Sequence, residues 1–122
     1  MPSDDQLTNE QLEASLRHEL EACKPPGRRN IPRLEALKTK VGRYIQACDA
    51  DLAQRAAYRN LGAELQARVG TEMPAAQIAK VLEPFEWMAT IAREDEPEVI
   101  DLRNRMATVL ADVCAALAAS DS

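Results

Sequence analysis

A chain of 122 residues supports one domain with a single hydrophobic core of moderate size. Its 46% apolar and 29% charged residues exclude disorder of the whole chain, and the scarcity of Gly and aromatic residues beside abundant Leu and Ala argues against an all-β fold. The net charge is −5, and the most acidic segments would repel a polyanion, which makes nucleic acid an unlikely partner.

The first predicted helix begins after Thr8, where Thr8 and Gln11 have the spacing of a capping box. The apolar residues that follow are spaced by four, four and three, as on one helix face: Leu12, Leu16, Leu20 and Cys23. The helix must end at residues 24–27, Lys-Pro-Pro-Gly, because a proline disfavours helical geometry at the residue before it.

A second helix is predicted from Ile31, with Asn30 as a candidate N-cap. Its apolar stripe consists of Leu34, Leu37, Val41, Tyr44 and Cys48. We expect a bend or break near residues 49–51, because a rod of roughly 58 Å is hard to fit into a compact domain of this size. The alternative is one uninterrupted helix over residues 31–69, since no residue in that range forbids it.

The next helix is predicted to start at Thr71, directly after a helix end at Gly70. Its main stripe consists of Ile78, Val81, Leu82, Phe85, Met88 and Ala92. Pro84 predicts a kink or split at residues 82–84, because proline lacks a backbone donor and crowds the preceding turn. Trp87 and Ile91 project beside the stripe, so this helix is either the centre of a bundle or an interface.

The last helix is predicted from Pro97, and its stripe has the most regular spacing of the chain: Val99, Leu102, Met106, Val109, Val113 and Leu117. Residues 119–122 are expected to fray, as are residues 1–7. The fold class is therefore all-α, a compact bundle of four to six amphipathic helices in one domain over residues 1–122.

The sequence offers little for catalysis. The single histidine, His18, is predicted to be a solvated surface residue, and carboxylate pairs such as Glu94 and Glu98 are expected to form a solvated acidic face rather than a metal site. No phosphate-binding glycine loop or nucleophile motif is present. The three cysteines lack metal-ligand spacing and are expected to be buried free thiols. We therefore predict no enzyme activity, no cofactor and no metal.

Charge is segregated along the chain. Residues 1–23 carry a net charge of −5, residues 24–43 carry +6, and residues 83–101 carry −6. In the basic segment, Arg28, Arg29 and Arg33 precede or begin a helix and are candidate ligands for an acidic partner or a phosphate. A nucleic-acid-binding regulator that uses residues 24–43 is the alternative function.

The favoured interpretation is a protein-protein interaction module of the regulator, adaptor, chaperone or inhibitor type. Its surplus apolar surface and segregated charge favour binding to a partner protein of unknown identity, or to a second copy in a homo-oligomer such as a dimer. The predicted partner-binding residues are Arg28, Arg29, Arg33, Phe85, Trp87 and Ile91. No stretch approaches the roughly 18 apolar residues of a membrane span and no secretory signal precedes the first helix, so a cytoplasmic protein is expected.

Overall fold

A computed structural model describes residues 7–69 and 74–121 of the chain, and within these ranges every regular element is helical. The elements are α1 (Asn9–Glu21), a 3-10 turn (Arg28–Asn30), α2 (Ile31–Val69), α3 (Ala75–Glu94) and α4 (Glu96–Asp121). The all-α prediction is confirmed. The expected four to six bundle helices are not found, because only three helices of the described ranges are long, with 39, 20 and 26 residues.

Helix α2 runs through residues 49–51, so the break expected there is absent and the alternative of one uninterrupted helix over residues 31–69 is confirmed. The acids of this segment do not begin a new helix. Asp51 Oδ2 lies 3.3 Å from Arg55 Nε, one turn further along, as in an ion pair within a continuous helix. After Pro32 at the start of α2, no further proline interrupts the helix.

Helix α3 likewise continues through Pro84, so of the two predicted alternatives, a kink or a split at residues 82–84, the split is wrong. Both Pro84 and Lys80 are exposed, so water can serve the Lys80 carbonyl group that has lost its backbone donor. Gly70 and Thr71, where one helix was expected to end and the next to begin, lie outside the described residues.

The capping box of α1 is confirmed. The Gln11 backbone N–H donates to Thr8 Oγ1 at 3.1 Å, and the Thr8 backbone N–H donates to Gln11 Oε1 at 3.0 Å. Asn30, the candidate N-cap of α2, donates from its Nδ2 to the backbone carbonyls of Cys23 at 2.7 Å and Pro25 at 3.0 Å. This buried side chain therefore ties the connector between α1 and α2 together.

The chain divides into two compact units. Unit 1 comprises Met1–Cys48 and Ile100–Ser122, and unit 2 comprises Asp49–Val99. The core of unit 1 is formed by the predicted stripes of α1, the first half of α2 and α4: Leu12, Leu16, Leu20, Cys23, Leu34, Leu37, Val41, Met106, Val109 and Val113. These stripes pack against one another as three helices, which buries the apolar face of each.

Ion pairs surround the core of unit 1. Arg105 of α4 reaches Asp101 at 2.8 Å and Glu13 of α1 at 3.1 Å, and Arg17 of α1 reaches Asp112 of α4 at 2.7 Å. Hydrogen bonds from Arg105, and then from Asn9, hold the pKa of Asp101 below its ordinary value. Arg105 therefore neutralises part of the acidic charge of α1, and Arg17 neutralises an acid of α4.

The C-terminal end of α4 belongs to unit 1. Helical residues continue to Asp121, although fraying was expected from residue 119. Ser120 is buried, and its Oγ accepts a hydrogen bond from the Gly27 backbone N–H at 3.3 Å. This contact joins the last turn of α4 to the connector that precedes α2.

Unit 2 contains the second half of α2, all of α3 and the first turn of α4. Among its described side chains, Leu82 is the one buried hydrophobic residue. Its exposed large hydrophobic residues are Leu61, Val81, Trp87 and Ile91. An ion pair between Arg59 of α2 and Glu96 of α4 is half-buried within this unit. Unit 2 thus presents four exposed large apolar side chains, whereas among the described residues unit 1 presents one, Ile100.

Candidate functional site

The most exposed large apolar side chain in the described part of the chain is that of Trp87 on α3. Its side chain is 66% exposed, and Ile91, one turn further on, is 43% exposed. Residues four apart lie on the same helix face, so the two side chains form one apolar surface. An exposed tryptophan beside an exposed isoleucine is costly in water and often marks a binding surface.

Helix α2 supplies the opposite wall of a groove beside this surface. The groove has a volume of about 280 Å³. We call it the Trp87 groove, and the residues that line it are Asp51, Gln54, Arg55, Tyr58, Trp87, Ile91 and Asp95. All seven belong to unit 2, four of them on α2, two on α3 and Asp95 directly after α3.

The α2 wall of the groove is held by contacts one helical turn apart. Gln54 Nε2 donates a hydrogen bond to Tyr58 Oη at 3.2 Å, and Arg55 Nε lies 3.3 Å from Asp51 Oδ2. The Arg55 side chain is only 16% exposed. The hydrogen bond orients the Tyr58 hydroxyl, and the ion pair places the Arg55 charge beside Asp51.

Electrostatics distinguish the two units. Unit 1 contains ten Lys and Arg against ten Asp and Glu, whereas unit 2 contains five against ten. The entire net charge of −5 therefore resides in unit 2. At the groove, the Asp95 carboxylate is exposed and has no ion pair among the described residues, while the Asp51 carboxylate is matched by Arg55.

The predicted basic residues lie elsewhere, in unit 1. Arg28 and Arg29 are exposed on the 3-10 turn, and Arg33 is exposed in the first turn of α2. Within the described residues none of the three has an ion pair, whereas Lys24 and Lys40 of the same basic segment pair with Glu21 at 3.0 Å and Glu19 at 3.2 Å. The basic segment is thus a partly compensated surface whose arginines face solvent.

Of the predicted apolar partner-binding residues, the structure brings Trp87 and Ile91 into one groove. Phe85 lies within α3, but its side chain is outside the described part of the structure. Sequence reasoning missed the five other groove residues. The spacing of four residues from Asp51 to Arg55 and from Gln54 to Tyr58 indicates neighbouring side chains on one helix face. It does not indicate which residues of another helix lie opposite them.

Groups that would support other chemistry are dispersed in the described ranges. No cluster of three or more His, Cys, Asp or Glu side chains there is arranged to hold a metal ion, and His18 is exposed. Among the helices described, none is long and apolar enough to cross a membrane. The cysteines are free thiols, but Cys114 is exposed, against expectation, because it follows Val113 and so points away from the core stripe.

Comparison with known proteins adds no constraint: no family model, no curated protein and no solved structure matches the chain.

Proposed function

We propose that this chain is a protein-interaction module that binds a partner protein through the Trp87 groove. It would act as a regulator, adaptor, chaperone or inhibitor without carrying out catalysis. The proposal includes a cytoplasmic location, to which free thiols are suited. The observation that carries the proposal is the exposure of Trp87 at 66%, beside Ile91 at 43%, along a groove that charged side chains also line.

Tryptophan is suited to this task because it is among the residues that contribute most to protein-protein binding when a partner covers them. The groove offers such a partner apolar side chains from Trp87 and Ile91 and polar groups from Tyr58 and Asp95. This combination of apolar and polar groups is typical of protein interfaces.

A retention experiment with matched variants tests the proposal. The immobilised wild-type chain is compared with Trp87→Ala and with Val81→Ala, which removes another exposed apolar side chain of α3 that does not line the groove. We expect a protein from native cells to be retained by the wild type and by Val81→Ala, and to be lost with Trp87→Ala. The same retained proteins for all three chains would contradict the proposal.

Nucleic-acid binding through residues 24–43 is the second candidate. It is favoured by one observation, the exposure of Arg28, Arg29 and Arg33 without ion pairs among the described residues. Titration of labelled DNA at low salt tests it, with the double variant Arg28→Ala and Arg29→Ala as the comparison. Phosphate contacts require binding that weakens steeply with added salt and that the double variant reduces.

A further inference from the structure

The Trp87 groove combines aromatic side chains with carboxylates. Trp87 and Tyr58 line it, and Asp95 contributes an exposed carboxylate without an ion pair among the described residues. The faces of aromatic rings attract cations, and tryptophan does so most strongly. A carboxylate at the same site adds charge attraction and an acceptor for N–H donors.

From this geometry we infer that the groove takes a positively charged side chain, arginine or lysine, from a basic segment of the partner protein. The inference rests on the proposed function and names the chemistry of the partner. It concerns the residues of the groove itself and needs no contribution from unit 1.

The charge of the surroundings points the same way. Unit 2 carries ten acidic against five basic residues, and Glu94 is exposed beside Asp95. The negative potential of these groups draws a basic segment toward the groove before contact and disfavours an acidic one.

Among the described residues that line the groove, Arg55 is the one cation, and its ion pair with Asp51 disfavours an anionic ligand. Its Nε lies 3.3 Å from Asp51 Oδ2, and the side chain is only 16% exposed. An anion entering the groove would meet the carboxylates of Asp51 and Asp95 and would compete with Asp51 for Arg55. A cation would meet two carboxylates and one guanidinium that is already ion-paired.

The volume suits a single side chain. The groove encloses about 280 Å³, which is room for an extended arginine or lysine side chain against Trp87 and Ile91 with its charged end toward Asp95. The methylene groups of these side chains pack on apolar surface while the charge remains at the rim. This placement uses both the Ile91 wall and the carboxylate.

Three short capped peptides serve as probes, identical except for a central arginine, citrulline or norleucine. Citrulline keeps the shape of arginine without its charge, and norleucine is an uncharged apolar analogue of lysine. Quenching of the emission of Trp87, the single tryptophan of the chain, reports occupancy of the groove directly. We expect the arginine peptide to bind about tenfold more tightly than the citrulline peptide at low salt.

A pair of neighbouring variants then locates the charge. Asp95→Asn should weaken binding of the arginine peptide several-fold and leave the norleucine peptide unchanged. Glu94→Gln removes the same charge from the adjacent exposed residue, which does not line the groove, and should have a much smaller effect. Circular dichroism of both variants checks that they are folded. Equal effects of the two variants would overturn the assignment to Asp95.

The remaining outcomes separate the inference from the proposed function. Equal affinity for the arginine and norleucine peptides would overturn the inference while leaving the groove as a peptide-binding site. If none of the peptides quenches the emission of Trp87, the inference is overturned. The proposed function is then still tested by the retention experiment with Trp87→Ala. Free acetylarginine amide binding as tightly as the peptide would assign the groove to a small cation. The emission of Trp87 could instead change with the concentration of the protein alone. If this change is absent in the double variant Arg28→Ala, Arg29→Ala, the groove is assigned to a second copy of the chain.

Discussion

The two units use the same kinds of residue in different ways. In unit 1, apolar stripes of three helices are buried against one another, and acids and bases are equal in number. In unit 2, Leu82 is the one buried apolar side chain among those described, while Trp87 and Ile91 are exposed and acids exceed bases by five. Buried apolar side chains therefore stabilise the fold in unit 1, whereas several of the described apolar side chains of unit 2 lie at its surface.

The largest contrast is expected from truncating one apolar residue in each unit. Leu16 is 1% exposed in the core of unit 1, so Leu16→Ala should lower the free energy of unfolding by about 2–5 kcal/mol, because it removes buried contacts and leaves a cavity. Ile91→Ala in unit 2 should change it by about 0.5 kcal/mol or less. Urea unfolding followed by circular dichroism measures both. Similar losses in the two variants would erase the distinction.

A polar pair of substitutions sharpens the comparison. Asn30→Ala in unit 1 leaves the carbonyls of Cys23 and Pro25 without their buried donor, and a loss of about 1–3 kcal/mol is expected. Gln54→Ala in unit 2 removes an exposed hydrogen bond to Tyr58 and should cost about 0.5 kcal/mol or less. Thermal unfolding of both variants checks the order, and a larger loss for Gln54→Ala would reverse it.

Acid should act on unit 1 through Asp101. Because its pKa is lowered in the folded state, mainly by Arg105, Asp101 adds stability above its unfolded-state pKa of 3.8, and this stability is lost as the pH falls through the folded-state value. Arg105→Met should therefore lower the melting temperature at neutral pH, with a difference from the wild type that shrinks in acid. A difference that does not depend on pH would show that the pair plays no such part.

The smallest effect on stability is expected at the groove rim. Asp95→Asn removes an exposed carboxylate that has no ion pair among the described residues, so its free energy of unfolding should stay within about 0.5 kcal/mol of the wild type. Urea unfolding provides the value. A clear loss of stability would give Asp95 a structural role and remove it as a residue kept for binding.

Local pattern was enough to predict most of unit 1. The spacing of Leu12, Leu16 and Leu20 and the reciprocal cap of Thr8 and Gln11 depend on residues within a turn or two of one another, which the sequence displays directly. The continuity of α2 was harder, because an acid such as Asp51 can cap a new helix or pair with a residue one turn further along within the same helix.

The groove could be predicted only in part. The exposure of Trp87 and Ile91 follows from their position beside the main stripe of α3, and the sequence already indicated them as a possible interface. Tyr58 and Asp95 line the same groove because of the way α2 packs beside α3 within unit 2. The periodicity of apolar residues in the sequence does not indicate how these two helices pack. The hydrogen bonds from Asn30 to the carbonyls of Cys23 and Pro25 likewise depend on the path of the connector between α1 and α2.

Trp87 is the single tryptophan, so its fluorescence tests the central claim about unit 2 most directly. Acrylamide quenching of the native chain without a partner should approach the quenching of the chain unfolded in urea, as expected for a side chain that is 66% exposed. Strong protection of the native emission from quenching, accompanied by a blue-shifted spectrum, would place Trp87 in a core and contradict the account.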